Sequence, residues 1–438
     1  MNNQKTINCD LLVIGRGFAG MAAAARASAL GLKTVQAGSA ASFFLTSGLM
    51  DCLGVYPIKE KQIIRALEPG IKLLKKDMTD HPYSKVGYSN VLESFSFISG
   101  FLSEAGLKYQ REDQNNQFIL TAAGTFKPSF MVPKTFSNGC AKNLKDKRVL
   151  FVDFKGMKAY SACQISNVVH KICPQSSSLT IEIPDHSGDF TPMALAGLFE
   201  DDQFLKMVAK NIRLNTDNLN SDNSKLNNID LVGFPAICGI HNSLRSFEQL
   251  EKLIGCPCFE IPGLPPSIPG LRLKNAFEKK LSQNNVTVLN KAKIKFDSFH
   301  DHTFFMTAMN QNLNILIQAK GVILATGRFQ GDGLHAKRGS VQETVFHLPV
   351  YQPELRNQWY DLNLFNPDGH AINKAGIETN EMFQPVDNKN NPVYEHLYAA
   401  GSILAHNDWT RLKSGSGVSC VSAITAVNHF YHAQKGEQ

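Results

Sequence analysis

The chain has 438 residues, long enough to bury a large core and to form two domains. It is 43% hydrophobic and 19% charged, a balance that excludes a disordered or fibrous protein. Its 45 Lys+Arg against 38 Asp+Glu leave a net charge of +7, which suits small anionic substrates such as phosphates, carboxylates or nucleotides. No dense basic block interleaved with aromatics occurs, and that argues against a nucleic-acid partner.

The first elements are compact. Leu11–Ile14 is a continuous apolar run, as a strand buried on both faces of a parallel sheet requires. Phe18–Leu30 follows, alanine-rich with Arg26 as its only charge, and predicts a helix lying close on that sheet. Gly31 ends it, and Lys33–Ala37 reads as the second strand of a βαβ unit. Val149–Asp153 and Ile229–Gly233 read as further strands. Ser243–Ile254 places Leu244, Phe247, Leu250, Leu253 and Ile254 on one helical face. Asp217–Asn228, rich in Asn, Ser and Asp, predicts a surface loop. Pro262–Gly270 holds four prolines, which excludes regular structure there. From about Val286 to Gln318, alternating segments such as Thr303–Ala308 predict antiparallel strands. Buried-strand chemistry returns in Gly321–Gly327 and His396–Gly401, and Ser414–Gly417 opens a final helix over roughly Val418–His432. The expected organisation is a discontinuous nucleotide-binding domain, 1–90 with 320–438, interrupted by an inserted substrate or partner domain, 91–319.

Nine dispersed cysteines with no zinc spacing read as reduced thiols in a cytoplasmic protein. Cys256-Pro-Cys258 reads as two structural thiols, because one intervening residue would strain a disulfide. The polar N-terminus lacks a signal-peptide pattern, and no run of eighteen apolar residues is present, so no direct membrane insertion is expected.

Gly15-Arg16-Gly17-Phe18-Ala19-Gly20 fits G-x-G-x-x-G between a strand and a helix. The first glycine makes the tight turn, the second admits a phosphate to the backbone, and the third lets helix and strand touch. The helix N-terminus then faces the anion. The carboxylate that should follow some twenty residues later, to hold ribose hydroxyls, is missing; Gln36 stands there instead. Thr46, Ser47 and Gly48 can lie against a flavin ring or phosphate. Ala325-Thr326-Gly327 and Gly401-Ser402 end apolar strands where backbone can approach a cofactor, and Gly417 and Val418 begin the last helix beside them. The fold class expected is α/β, a Rossmann-type FAD/NAD(P)-binding domain with an inserted α+β substrate or cap domain.

These motifs resemble the flavoproteins of the glutathione reductase and fumarate reductase kind. More narrowly, the chain resembles the family of B-type subunits of anaerobic glycerol-3-phosphate dehydrogenase. The segments that carry the resemblance are Thr46-Ser-Gly48 with Asp51, His81-Pro-Tyr-Ser84, Leu264-Pro-Pro-Ser267 and Gly270-Leu-Arg272. It continues through Ala325-Thr-Gly327, Gly333-Leu334, Arg338, Leu397–Ser402 and Gly415-Ser-Gly417-Val418. Arg328 departs from it, where a small residue is expected. The resemblance implies a flavin, FMN or FAD, and a catalytic A-type flavoprotein partner. It also implies an iron–sulfur C-type subunit anchoring the assembly to the inner face of the cell membrane. No C-x2-C-x2-C run occurs, so the clusters would belong to another chain.

Oxidising glycerol 3-phosphate needs a base, a hydride acceptor and cations for the substrate phosphate. His406 and His335, with Arg338, are the catalytic candidates, and Arg272 and Arg411 the candidates for holding the phosphorylated substrate. Whether oxidation takes place in this chain or in its partner stays open. Two other readings stand beside it: a stand-alone flavin-dependent reductase or dehydrogenase of a carboxylate, and a non-catalytic scaffold that docks a catalytic partner.

Overall fold

In the computed structural model, residues 5–158, 160–184, 188–217, 229–310 and 313–436 are described. In chain order, the strands of two main sheets and one hairpin are β1 (Thr6–Ile14), β2 (Thr34–Gly38), β3 (Val149–Phe154), β4 (Ser177–Ile181), β5 (Leu231–Pro235) and β6 (Cys258–Ile261). They continue with β7 (Thr287–Asn290), β8 (Lys293–His300), β9 (Thr303–Asn310), β10 (Leu313–Leu324), β11 (Leu334–Ala336), β12 (Val341–Glu343) and β13 (Leu397–Ala399). The helices that matter here are α1 (Phe18–Ala29), α2 (Ala162–Val169), α3 (Asp202–Asp217), α4 (Ser243–Ile254), α5 (Trp409–Leu412) and α6 (Gly415–Lys435).

Two compact units divide the chain, one of residues 1–42, 51–101 and 277–438, the other of 43–50 and 102–276. In the first, the strands run β7-β2-β1-β10-β9-β8, and β13 also pairs with β10. Leu11, Leu12 and Val13 are fully buried, as a central strand with covered faces demands. The C-terminal halves of β1, β2 and β10 run in parallel; β9 and β8 continue the sheet antiparallel. The alanine face of α1 lets it pack closely against α6, where Arg26 Nε donates to Asn428 Oδ1 at 2.7 Å. The boundaries anticipated at 90/91 and 319/320 differ from the observed ones. β7, β8 and β9 hydrogen-bond into the first sheet, which carries residues 287–310 with the nucleotide unit.

The second unit has its own four-stranded sheet, ordered β6-β5-β3-β4 and parallel throughout. Short antiparallel pairs between residues 109 and 133 supply the separate β structure anticipated for this part. Its core is aromatic, with Phe154, Phe199 and Phe234 buried and in edge contact around Phe199. α4 spans the residues predicted and turns Phe247, Leu250 and Ile254 inward. A helix already begins at Ile268, with Pro269 in its first turn, where the missing N–H costs no hydrogen bond; the proline-rich stretch therefore excludes regular structure only up to Ser267. Of the predicted loop 217–228, all but the first residue lies outside the described residues.

Candidate functional site

The glycine loop forms where β1 ends. Gly15 takes a φ of +125°, its N–H donates to Ala37 O at 2.7 Å, and a Cβ there would stand 2.1 Å from Ala325 O. A Cβ on Gly20 would stand 2.1 Å from Gly15 O, so the third glycine brings α1 onto the strand end. Gly17 is different. It caps α1 without a side-chain hydrogen bond, no acid occupies the first turn, and only Ser42 Oγ, at 3.3 Å, comes near its missing Cβ. The first-turn amides of a helix have no intrahelical partner, so this end is left for an anion.

Two later strand ends come to the same place. Ala325 N donates to Ile14 O at 2.8 Å, which ties the segment after β10 to β1. Gly401, after β13, has a φ of +83°, and a Cβ there would stand 2.6 Å from the Ala19 side chain. A Cβ on Gly327 would meet Ser402 Oγ at 3.4 Å. The structure thus brings Gly15, Gly17, Phe18, Ala19, Gly20, Thr326, Gly327, Gly401 and Ser402 together at the C-terminal edge of one sheet. Thr326 Oγ1 is buried there without a hydrogen-bond partner. An uncapped helix start, backbone packed too tightly for side chains and an orphaned hydroxyl fit the phosphate end of a flavin nucleotide.

Other predicted cofactor residues lie differently. Gln36 is fully buried and its Nε2 donates to Gly15 O at 3.3 Å, so it supports the loop from beneath and does not reach out to a ribose. Thr46, Ser47 and Gly48 belong to the second unit. There Thr46 Oγ1 donates to Phe43 O at 3.2 Å, and a Cβ on Gly48 would meet Pro269 Cβ at 2.5 Å. Gly417 N–H donates to Asp51 O, and its missing side chain makes room for Tyr83 Oη, 2.1 Å from where a Cβ would be. Val418 N–H is taken by Ser414 O. Packing accounts for both.

A polar cluster surrounds the segment between β13 and α6. Arg328 is buried; it donates through Nη1 to Asn373 O and through Nη2 to Leu404 O and Asn407 O, the latter two at 2.9 Å. Burial pushes its pKa down to about 10. The residue that departs from the resemblance therefore anchors the segment carrying His406. Asn407 Oδ1 stands 3.3 Å from both His81 Nε2 and Ser414 Oγ. His81 Nδ1 accepts from Tyr83 N–H at 3.1 Å, which makes Nε2 the protonated nitrogen. No motif or spacing in the sequence marks Arg328 or Asn407 as part of a site.

Burial lowers the His81 pKa from 6.5 to about 3, so the ring is neutral in the folded protein. The unfolded chain takes up that proton near pH 6.5 and the folded chain only near pH 3, so stability is full above 6.5 and falls as the pH drops. Wild type is expected to lose about 1.4 kcal/mol per pH unit from this group alone. His81→Gln should lack that slope in urea titrations between about pH 7.5 and 5. Equal slopes would mean that the ring is solvated.

The catalytic candidates separate. His406, with a φ of +60°, holds Nε2 2.8 Å from Glu378 Oε1 and packs its ring 4.1 Å from that of Tyr351. His335 and Arg338 are exposed on and beside the β11–β12 hairpin, and no contact joins them to His406. Arg411, on α5, donates Nη1 to Asn366 O at 2.6 Å and to Pro367 O at 3.1 Å, with Asp408 3.7 Å from Nε. Arg272 is a correction to the expected substrate role. In the second unit its guanidinium meets Glu260 through two bonds of 2.6 and 2.9 Å, and Nε donates to Gly239 O at 2.7 Å. Both partners are buried, so this cation is already neutralised inside the core. Cys256 and Cys258 are free thiols whose pKa burial raises, the former to about 11.

Comparison with known proteins bears on the same region. The model of a protein family described as "FAD binding domain" matches residues 10–418. The chain is 27% identical over 436 residues to the B-type subunit of anaerobic glycerol-3-phosphate dehydrogenase from Vibrio vulnificus (strain CMCP6), covering 96% of each chain. It is 29% identical over 447 residues to the protein of the same name from Aliivibrio fischeri (strain ATCC 700601 / ES114), covering 96% of this chain and 94% of that one. Among solved structures, 3-ketosteroid delta1-dehydrogenase from Sterolibacterium denitrificans superposes with a TM-score of 0.45 at 12% identity, over 98% of this chain and 100% of that one.

Proposed function

We propose, from the premise that this chain belongs to the FAD binding domain family, that it is the flavoprotein subunit of an anaerobic sn-glycerol-3-phosphate dehydrogenase. Its cofactor is a flavin, and the family is one of flavin-dependent oxidoreductases. The finer reading is oxidation of glycerol 3-phosphate to dihydroxyacetone phosphate, with two electrons passed on toward quinone. One observation carries it: the likeness to curated B-type subunits runs end to end and is not confined to the glycine loop. Their name also supports the partners, a catalytic A-type subunit and an iron–sulfur C-type subunit that holds the assembly at the membrane's inner face. No described helix is long and apolar enough to cross a membrane.

When bound, the flavin supplies the centre that accepts a hydride from substrate carbon. The chain's own residues do the rest. Gly17 and the first turn of α1 hold the nucleotide phosphate through backbone N–H groups. His406 donates Nε2–H to Glu378, which fixes the tautomer and leaves Nδ1 to take the proton of the substrate's C2 hydroxyl. Arg328 holds the carbonyls on either side of His406 and so sets where that ring stands. Arg411 is the remaining cation for the substrate phosphate, since Arg272 is closed off by Glu260.

The test is glycerol 3-phosphate oxidation by the flavin-loaded assembly, read with a quinone-like dye. His406→Asn should lower kcat by about 10²-fold and Glu378→Gln by somewhat less, with the flavin absorption spectrum unchanged. A flavin-loaded wild-type assembly that oxidises no glycerol 3-phosphate would overturn the substrate reading.

A further inference from the structure

The second residue of the glycine loop carries a charge that phosphate binding through backbone amides does not use. Arg16 is 3% exposed, and its side chain crosses the C-terminal end of β2. Its backbone nitrogen lies 3.4 Å from where a Cβ on Gly38 would stand. Asn290, at the end of β7, is the register partner of Gly38, and Arg16 Nη1 donates to Asn290 Oδ1 at 2.6 Å. Arg16 Nη2 meets Glu278 Oε1 at 2.5 Å, and Nε is buried without a hydrogen-bond partner.

The end of the second strand is where a dinucleotide places its adenosine ribose, on a carboxylate. This chain has no carboxylate there, and Gln36 faces inward, under the loop. A guanidinium, tied down at both terminal nitrogens, stands over the same strand end. Seating an adenosine there means breaking the bond to Asn290 and the ion pair with Glu278, one partner of which is fully desolvated. A ligand that ends in a single phosphate needs only the amides of α1.

We propose that Arg16 is a specificity residue that closes the adenosine side of the glycine-loop site. The site then takes a flavin bearing a terminal phosphate monoester and rejects an adenosine diphosphate group. This rests on the flavin reading above for the identity of the ligand, but the closure itself concerns only Arg16 and adenosine.

The test is titration of the flavin-depleted chain with ADP, FMN and FAD, followed by calorimetry and flavin fluorescence. Wild type should show no saturable ADP binding and should favour FMN over FAD by about tenfold or more. Arg16→Ala should gain ADP affinity by about tenfold and lose most of the FMN preference. Glu278→Gln, which unties the guanidinium and leaves the loop intact, should move both in the same direction by less. It decides the matter if Arg16→Ala fails to melt as a folded protein. An absence of ADP gain in the folded variants overturns the closure, as does a loss of FAD or ADP binding, which would make Arg16 a ligand for the diphosphate. A gain of ADP binding with no flavin bound by any form would uphold the closure and sink the flavin reading.

Discussion

Arg272→Ala is expected to destabilise the second unit by about 3–5 kcal/mol, because it leaves the Glu260 carboxylate buried without its counter-charge. Desolvation alone would raise the Glu260 pKa. The Arg272 charge and hydrogen bonds, with the Cys238 N–H at 2.7 Å, more than reverse that and hold it below the usual carboxylate range. A depressed folded pKa gives stability that is present above the unfolded value and lost as pH falls through the folded one. In Arg272→Ala the sign inverts: the carboxyl is pushed up, and the variant should gain stability on mild acidification. Urea unfolding at two pH values reads both effects. An apolar pair of similar volume, Arg272→Met with Glu260→Leu, should recover most of the loss. Unchanged unfolding of Arg272→Ala would make that arginine a candidate substrate ligand again.

Gly15→Ala should abolish flavin binding and cost several kcal/mol. The new methyl would stand 2.1 Å from Ala325 O, a backbone atom that cannot step aside, and a φ of +125° adds strain of about 1–3 kcal/mol. Two comparisons isolate the causes. Gly31→Ala shares a positive φ, +77°, but meets nothing within 4 Å, so it should cost only about 1 kcal/mol and leave flavin binding intact. Gly17→Ala has ordinary backbone and only Ser42 Oγ nearby, so it should melt with wild type yet bind flavin more weakly, its methyl standing where a phosphate approaches. Thermal melts and flavin titrations separate the three. A Gly17→Ala chain with unaltered affinity would show that the anion sits elsewhere.

The glycine loop, both flanking strands and α1 were legible because each rests on chemistry local in sequence: an unbroken apolar run, glycines where a Cβ cannot fit, and an alanine face. The same locality made α4 readable from its apolar spacing. What the sequence concealed depends on partners far along the chain. Nothing near Arg272 announces Glu260 or Gly239, so a buried ion pair looked like a loop cation. Arg328 looked like a blemish until the carbonyls of residues 373, 404 and 407 closed around it. Gln36 was read by its position on β2, but the choice between facing a ribose and facing Gly15 is a matter of side-chain direction. The domain boundary slipped for a related reason, since alternation shows that residues 287–310 are strands but not which sheet they join.

β1 finds its partner very late. Thr6 lies opposite Leu316 and Ile14 opposite Leu324, about 310 residues further on, and β2 waits likewise for β7 at Thr287. At synthesis rates of about 5–20 residues per second, roughly 15–60 s pass between the emergence of β1 and that of β10. Through that interval the nascent chain carries an apolar strand pair with open edges, while β3 to β6 can already pair with one another. The cell must therefore shield the phosphate-binding end of this protein during most of its manufacture, and a ribosome stalled before residue 313 releases a product whose first strand has no neighbour but β2.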